Sequence, residues 1–188
     1  MAEFRIATDR LILREWRKQD VAPFMRRLNT PTVTRWLGGV QLRADFEASY
    51  ERMTREQREN GHCFWIIERA EDAAILGFCG ARVAGHPGTN VHGKIELGWR
   101  LGEDVWGCGY AKEAALAAIE WCWTALTVDE LIAYTVPQNA PSWGLMERIG
   151  MNRRNDLDFL HPAFKIGHEL SQHITYSIAR PRSAATNR

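Results

Sequence analysis

The chain has 188 residues, of which 45% are hydrophobic and 25% are charged, and these proportions are typical of one soluble globular domain. Its 24 lysines and arginines nearly balance its 23 acidic residues, so the overall charge provides no field for gripping a nucleic acid. The first residues lack the apolar core of a signal peptide, and no segment reaches the ~18 apolar residues of a membrane span. We therefore expect a cytoplasmic protein with no membrane or nucleic-acid partner.

Apolar periodicity along the chain predicts a mixed α/β (α+β) order of elements. Helices are expected at 20–28, with Asp20 as the cap, and at 43–58, 111–123 and 141–149. Strands are expected at 8–16, 63–68, 75–83, 94–101, 131–136 and 173–179. Residues 1–180 are expected to form one domain and 181–188 a disordered tail. The four cysteines are widely spaced, so no disulfide is expected.

The segment 106–111, Trp-Gly-Cys-Gly-Tyr-Ala, joins a predicted strand to an alanine-rich helix. Glycines at a helix start let the backbone approach a ligand, and the free N–H groups there suit phosphate oxygens. A Walker loop would need Gly-Lys-Ser/Thr, and a dinucleotide fingerprint would need a third glycine; neither is present. Alone, the two glycines fit a tight turn equally well, and binding of another nucleotide phosphate is a weaker alternative.

Three ordered motifs resemble the GNAT superfamily of N-acetyltransferases. The segment ending at Gly109 and Ala111 is similar to that family's pyrophosphate loop, Q/R-x-x-G-x-G/A, with Trp106 where Gln or Arg often stands. This variant, with T-D-R-L-I-L-R at 8–14 and N-A-P-S at 139–142, looks like the branch of ribosomal-protein N-terminal alanine and serine acetyltransferases.

The resemblance covers roughly residues 8–155 and implies the GNAT fold. In that fold a mostly antiparallel mixed sheet of about seven strands, flanked by about four helices, opens as a V between its fourth and fifth strands. It also implies acetyl-CoA as co-substrate in the opening, direct transfer to a primary amine in a ternary complex, and, by analogy, a homodimer. The acceptor is a protein N-terminal α-amine or a small-molecule amine. The residues implied to bind the co-substrate are Leu97, Trp99, Leu101, Trp106, Gly107, Cys108, Gly109, Tyr110, Ala111, Asn139 and Ser142.

Two residues are candidates for the chemistry that this resemblance implies. Glu96 lies in an apolar strand and is the candidate base for the amine proton, directly or through a water. Its alternative roles are a solvated side chain or an ion pair with an arginine. Ser142 is the candidate hydrogen-bond donor to the departing thiolate, and the alternative is that Ser142 and Asn139 only cap a helix. A backbone N–H near Trp99 is expected to meet the thioester oxygen.

A second class of function stays open beside the enzyme: a non-catalytic acyl-CoA-binding or sensor module that keeps the loop without the chemistry. Intact Glu96 and Ser142 argue against it. His161, His168 and His173 match no zinc-ligand spacing, so we expect no metal and place these histidines at the substrate end or on the surface.

Overall fold

The computed structural model describes residues 3–181, so all but the first residue of the predicted tail at 181–188 lies outside the described range. The helices are α1 (Val21–Leu28), α2 (Pro31–Thr34), α3 (Arg43–Asn60), α4 (Tyr110–Ala125) and α5 (Ala140–Arg148). The strands are β1 (Arg5–Ala7), β2 (Leu11–Arg14), β3 (Phe64–Arg69), β4 (Ile75–Val83), β5 (Ile95–Leu101), β6 (Glu130–Thr135), β7 (Asn152–Arg153), β8 (Phe159–Leu160) and β9 (Gln172–Ala179).

The described strands form one sheet in the order β1-β2-β3-β4-β5-β6-β9-β7, with β8 paired to β9. Neighbouring strands are antiparallel except β5 and β6, which run parallel and share a single registered pair, Glu96 with Ile132. Because the pairing does not continue past Glu96, the sheet opens toward the C-terminal ends of β5 and β6. The prediction of an opening between the fourth and fifth strands is confirmed, because those strands, predicted at 94–101 and 131–136, are β5 and β6 once the additional strand β1 is counted.

The strand count is nine rather than about seven for two local reasons. Only residues 11–14 of the strand predicted at 8–16 are a strand, β2, and an unpredicted strand, β1, precedes it and forms a hairpin with it, in which Ile6 pairs with Leu13. The turn of this hairpin carries Thr8, Asp9 and Arg10, which the strand prediction had included. The short strands β7 and β8 were not predicted because two residues carry no period that a sequence can show.

The two faces of the sheet are covered by different helices. One face packs on the small residues of α4, where Ala114, Ala115 and Ala118 are fully buried and let the helix approach the strands closely. On the other face, Phe24 of α1 and Phe46 of α3 pack with Ile66 and Phe78 of the sheet. No helix of residues 3–181 combines the length and the apolar character that a bilayer crossing needs.

Asp20 stands at the N-cap position of α1 as predicted, but its side chain does not cap the helix. The buried carboxylate instead accepts two hydrogen bonds from Arg14, at 2.7 and 3.0 Å, and one from the Arg17 backbone N–H. Arg14 also donates to Glu68 at 2.8 Å. A buried guanidinium demands paired carboxylates, and this requirement outweighs the local capping preference.

Candidate active site

A cavity of about 390 Å³ lies where β5 and β6 separate. Its lining residues come from strands β3 to β6, from helix α3, and from the segments before α3 and after β8, among others. Five of the predicted site residues line it: Glu96, Leu97, Trp99, Asn139 and Ser142. The other predicted residues, Leu101 and the loop from Trp106 to Ala111, are outside the cavity lining and follow the C-terminal end of β5.

Glu96 lines this cavity and is 8% exposed, and one oxygen of its carboxylate accepts two hydrogen bonds. Arg82 Nε donates to Glu96 Oε2 at 3.1 Å, and the Tyr134 hydroxyl donates to the same oxygen at 2.5 Å. A second carboxylate, Glu56, lies 3.9 Å from Arg82. Glu96 is therefore ion-paired with an arginine, as one alternative expected, and it also lines the cavity.

Tyr134 is a residue of the site that sequence reasoning missed. Burial, and then the charge of Glu96, raises the pKa of its phenol, so it keeps its proton and acts as a donor at neutral pH. His86 Nε2 lies 2.9 Å from the phenol oxygen. No local signal marked it in the sequence, because Tyr134 reaches Glu96 only through the pairing of Ile132, two residues before it, with Glu96 in the sheet.

Three histidines extend the Glu96 and Tyr134 cluster across the cavity wall. The rings of His86 and His161 are 4.5 Å apart, and those of His161 and His173 are 4.9 Å apart. Burial and the neighbouring histidines lower the pKa of both His161 and His173 to about 4, so these two rings are neutral at pH 7. His168 is exposed outside the cavity. Within residues 3–181 no group of three or more His, Cys, Asp or Glu is arranged to hold a metal ion.

Asn139 and Ser142 lie at the start of α5, on the β6 side of the opening. Asn139 occupies the N-cap position, yet its side chain makes no cap and instead donates to Thr135 Oγ1 at 2.9 Å. The cap is made by backbone groups, with the Ser142 N–H donating to the Asn139 carbonyl at 3.0 Å. Neither side chain is consumed by capping, so the Ser142 hydroxyl is available to the cavity.

The glycine loop before α4 has the backbone that its sequence predicts. Gly107 and Gly109 have φ of 76° and 82°, in the left-handed region that favours glycine, and Gly109 is the N-cap of the 16-residue helix. Nothing lies within 4 Å of a Cβ built on Gly107, so the loop is open on that side. Trp106 is half exposed, and its indole N–H donates to the Leu101 carbonyl at 2.9 Å, which ties the loop to the end of β5.

Arg10 holds this loop in place, and sequence reasoning did not predict this role of Arg10. Its guanidinium donates to the Cys108 carbonyl at 3.0 Å and to Glu113 at 2.7 Å, and it lies 4.5 Å above the ring of Tyr110. Thr8 adds a 2.6 Å hydrogen bond to the same Glu113 carboxylate. The first hairpin therefore holds the loop and the first turn of α4 in place.

A family model described as an acetyltransferase (GNAT) domain matches residues 10–152. The uncharacterized N-acetyltransferase YnaD of Bacillus subtilis is 27% identical over 174 residues, which cover 92% of this chain and 95% of the relative. The ribosomal-protein-S5-alanine acetyltransferase of Vibrio fischeri has a TM-score of 0.74 at 13% identity, covering 95% of this chain and 98% of that one. The microcin C7 self-immunity acetyltransferase MccE, solved with acetyl-CoA and AMP, has a TM-score of 0.71 at 14% identity, covering 92% and 94%.

The opened sheet with a glycine loop at its edge agrees with the class that the family model indicates, an acyltransferase that takes its acyl group from a CoA thioester. The match over residues 10–152 identifies the particular family: the chain belongs to the GNAT acetyltransferases and is an acetyl-CoA-dependent acyltransferase. Its structural neighbours include a ribosomal-protein alanine acetyltransferase, in agreement with the resemblance of the sequence motifs.

Proposed function

We propose that this protein transfers the acetyl group of acetyl-CoA directly to a primary amine within a ternary complex. The observation that carries the proposal is the convergence of Glu96 from β5, Asn139 from the β6–α5 junction and Ser142 from α5 on one cavity at the opening of the sheet. A carboxylate and a hydroxyl on opposite sides of one opening suit a reaction that removes a proton from one group and supplies a hydrogen bond to another.

The residues around the opening fit a CoA thioester. The loop from Trp106 to Ala111 offers two left-handed glycines, open space at Gly107 and the unpaired N–H groups of a long helix, which together suit a pyrophosphate. Leu97, Trp99 and Leu101 on β5, with Asn139 across the opening, would hold the pantetheine arm. Bound acetyl-CoA supplies the acetyl group as an activated thioester. Cys108 has no part in direct transfer.

Glu96 is the proposed base. Both of its hydrogen bonds end on Oε2, which leaves Oε1 for an acceptor amine or for a water between them. The protonated amine gives one proton to this carboxylate, and its nitrogen then bonds to the acetyl carbon. As the carbon–sulfur bond breaks, the nitrogen loses a second proton, which passes through water to the departing thiolate. Tyr134 and Arg82 act as positioning residues, since each holds Glu96 through the oxygen that does not face the amine.

Ser142 is the proposed donor to the sulfur as it leaves with the electron pair of the broken bond. The CoA thiol has a pKa near that of cysteine, ~8.5, so a hydrogen bond from a hydroxyl or a nearby water is sufficient help. Trp99 lies on the opened part of β5, and its backbone N–H is the proposed donor to the thioester oxygen. The Ser142 hydroxyl makes no capping bond that would compete with this role.

Initial rates measured while both acetyl-CoA and a primary amine are varied test the proposal. A ternary complex gives intersecting double-reciprocal lines, and mass spectrometry then finds acetylated amine and unmodified protein. Parallel lines with an acetylated Cys108 would contradict direct transfer. Binding of acetyl-CoA by calorimetry with no amine-dependent release of CoA would instead favour the acyl-CoA-binding module.

A further inference from the structure

The acceptor side of the cavity carries more positive than negative charge. Among the described residues that line it, the charged side chains are Arg52, Arg82, Arg100 and Glu96. The histidines that line the cavity provide no negative charge to balance these arginines. His173 is neutral at pH 7, because burial and His161 lower its pKa to about 4. Only Arg82 is matched by carboxylates, Glu96 at 3.1 Å and Glu56 at 3.9 Å.

Arg100 is the unmatched charge. Its Nε is buried and has no hydrogen-bond partner in the described part of the chain. Its guanidinium lies 5.3 Å from the centre of the Phe78 ring, so an aromatic face rather than water covers one side. Burial, and then the charge of Arg52, lowers the pKa of Arg100 to about 10, so it stays charged at pH 7. A desolvated cation without a counter-charge is unfavourable, and an anion in the cavity would relieve it.

Arg52 supplies a second positive group to the same place from α3. Its recorded side-chain hydrogen bond is a long one, 3.4 Å to Ser49 Oγ. Burial, and then the charge of Arg82, lowers the pKa of Arg52. Arg52, at the exposed edge, and Arg100 therefore present two positive groups to one cavity, and a guanidinium offers paired N–H groups that match a carboxylate or a phosphate.

The position of Arg100 relative to Glu96 sets the shape of the ligand. The two residues lie on the same face of β5, four positions apart, which separates their Cα atoms by about 13 Å. Resting on the proposed function, in which the amine lies at Glu96, we infer that the acceptor is a small molecule with an anionic group several bonds from its amine. Arg100, assisted by Arg52, binds that carboxylate or phosphate.

Matched acceptors test this inference on the full chain. Unbranched ω-amino acids from glycine to 6-aminohexanoate are compared with alkylamines of equal length and with ω-aminoalkyl phosphates. The anion-bearing members are expected to be used at least about tenfold better in kcat/KM than their neutral counterparts, with the carboxylate and phosphate series identifying which anion is preferred. Arg100→Met is expected to remove the preference for anion-bearing amines and to leave the calorimetric Kd for acetyl-CoA unchanged. Arg100→Lys is expected to restore part of that preference. Arg55→Gln, an exposed change one turn from Arg52, is expected to leave the preference intact.

A binding measurement covers the case in which none of these amines is the substrate. Inorganic phosphate and 6-aminohexanoate are titrated while the arginine Nε–H signals are followed by NMR. The Arg100 signal, identified by its absence from Arg100→Lys, is expected to shift, and to shift less at equal ligand concentration in Arg52→Gln, which keeps Arg100 and still binds acetyl-CoA. An unmoved signal, or equal use of charged and neutral amines, overturns the inference but leaves the proposed function intact. A loss of acetyl-CoA affinity in Arg100→Met would also overturn it, because Arg100 would then serve the co-substrate. Failure of the wild-type chain to bind acetyl-CoA counts against the proposed function instead.

Discussion

Replacing Glu96 by Gln removes the proposed base and keeps its shape. The amide still accepts from Tyr134 at the same position, but it cannot take a proton from the amine. General-base catalysis contributes typically 10²–10⁴-fold, so we expect kcat at pH 7 to fall by about 10²-fold or more while the Kd for acetyl-CoA stays nearly constant. That magnitude applies to an alkylamine with a pKa of about 10.4, which is almost wholly protonated at pH 7. About a tenth of an α-amine with a pKa near 8 is already neutral at that pH, so its loss is limited to about tenfold.

The defect of Glu96→Gln is therefore expected to shrink as the pH rises past the pKa of the amine. Stability also changes, since Arg82 keeps only the more distant Glu56, at 3.9 Å. We expect a loss of about 1–3 kcal/mol, which lowers the melting temperature by roughly 2–12 °C. Glu56→Gln is the matched control, because it weakens the same ion-pair network without touching the base. Equal kcat for wild type and Glu96→Gln at pH 7, or a defect that does not vary with pH, would remove Glu96 from the mechanism.

Three other expectations follow from the geometry. Ser142→Ala is expected to lower kcat by more than about tenfold with little change in melting temperature; a purely thermal effect would indicate a structural role instead. Gly109→Ala forces a side chain into φ of 82° beside the loop and is expected to weaken acetyl-CoA binding about tenfold by calorimetry, whereas Gly61→Ala, with φ of 77° and no neighbour, costs stability alone. The pKa of His161 and His173 in the folded protein, about 4, lies below the ordinary 6.5, so the unfolded chain binds more protons on acidification. The free energy of unfolding is therefore expected to fall by roughly 2–4 kcal/mol between pH 6.5 and 4. The fall is expected to be smaller in His173→Asn.

The parts of the fold that sequence reasoning predicted are those with a strong local pattern. The strand at 75–83 has the observed bounds, and the alanine-rich α4 begins one residue before its predicted start. The glycine loop was found because a positive φ leaves a direct mark on the residue type, as at Gly109. The opening of the sheet was expected from family resemblance alone, since nothing local in β5 or β6 specifies how far apart they run.

The parts that were missed depend on contacts between distant segments. Tyr134 meets Glu96 across 38 positions, and Arg10 meets Glu113 across 103, so no local period connects either pair. Asp20 carried a correct local signal for a helix start, but the buried Arg14 took its carboxylate. The single domain at 1–180, the homodimer and the cytoplasmic location stay predictions.

The central claim, acetyl transfer to a primary amine, is tested most directly by following release of CoA thiol from acetyl-CoA with 6-aminohexanoate and with its N,N-dimethyl analogue. The two compounds have the same charge and nearly the same length, but the tertiary amine has no proton to lose after its nitrogen bonds to the acetyl carbon. We predict that thiol release follows the primary amine alone and equals the amount of N-acetylated product. Release of thiol at the same rate with both compounds would contradict the account.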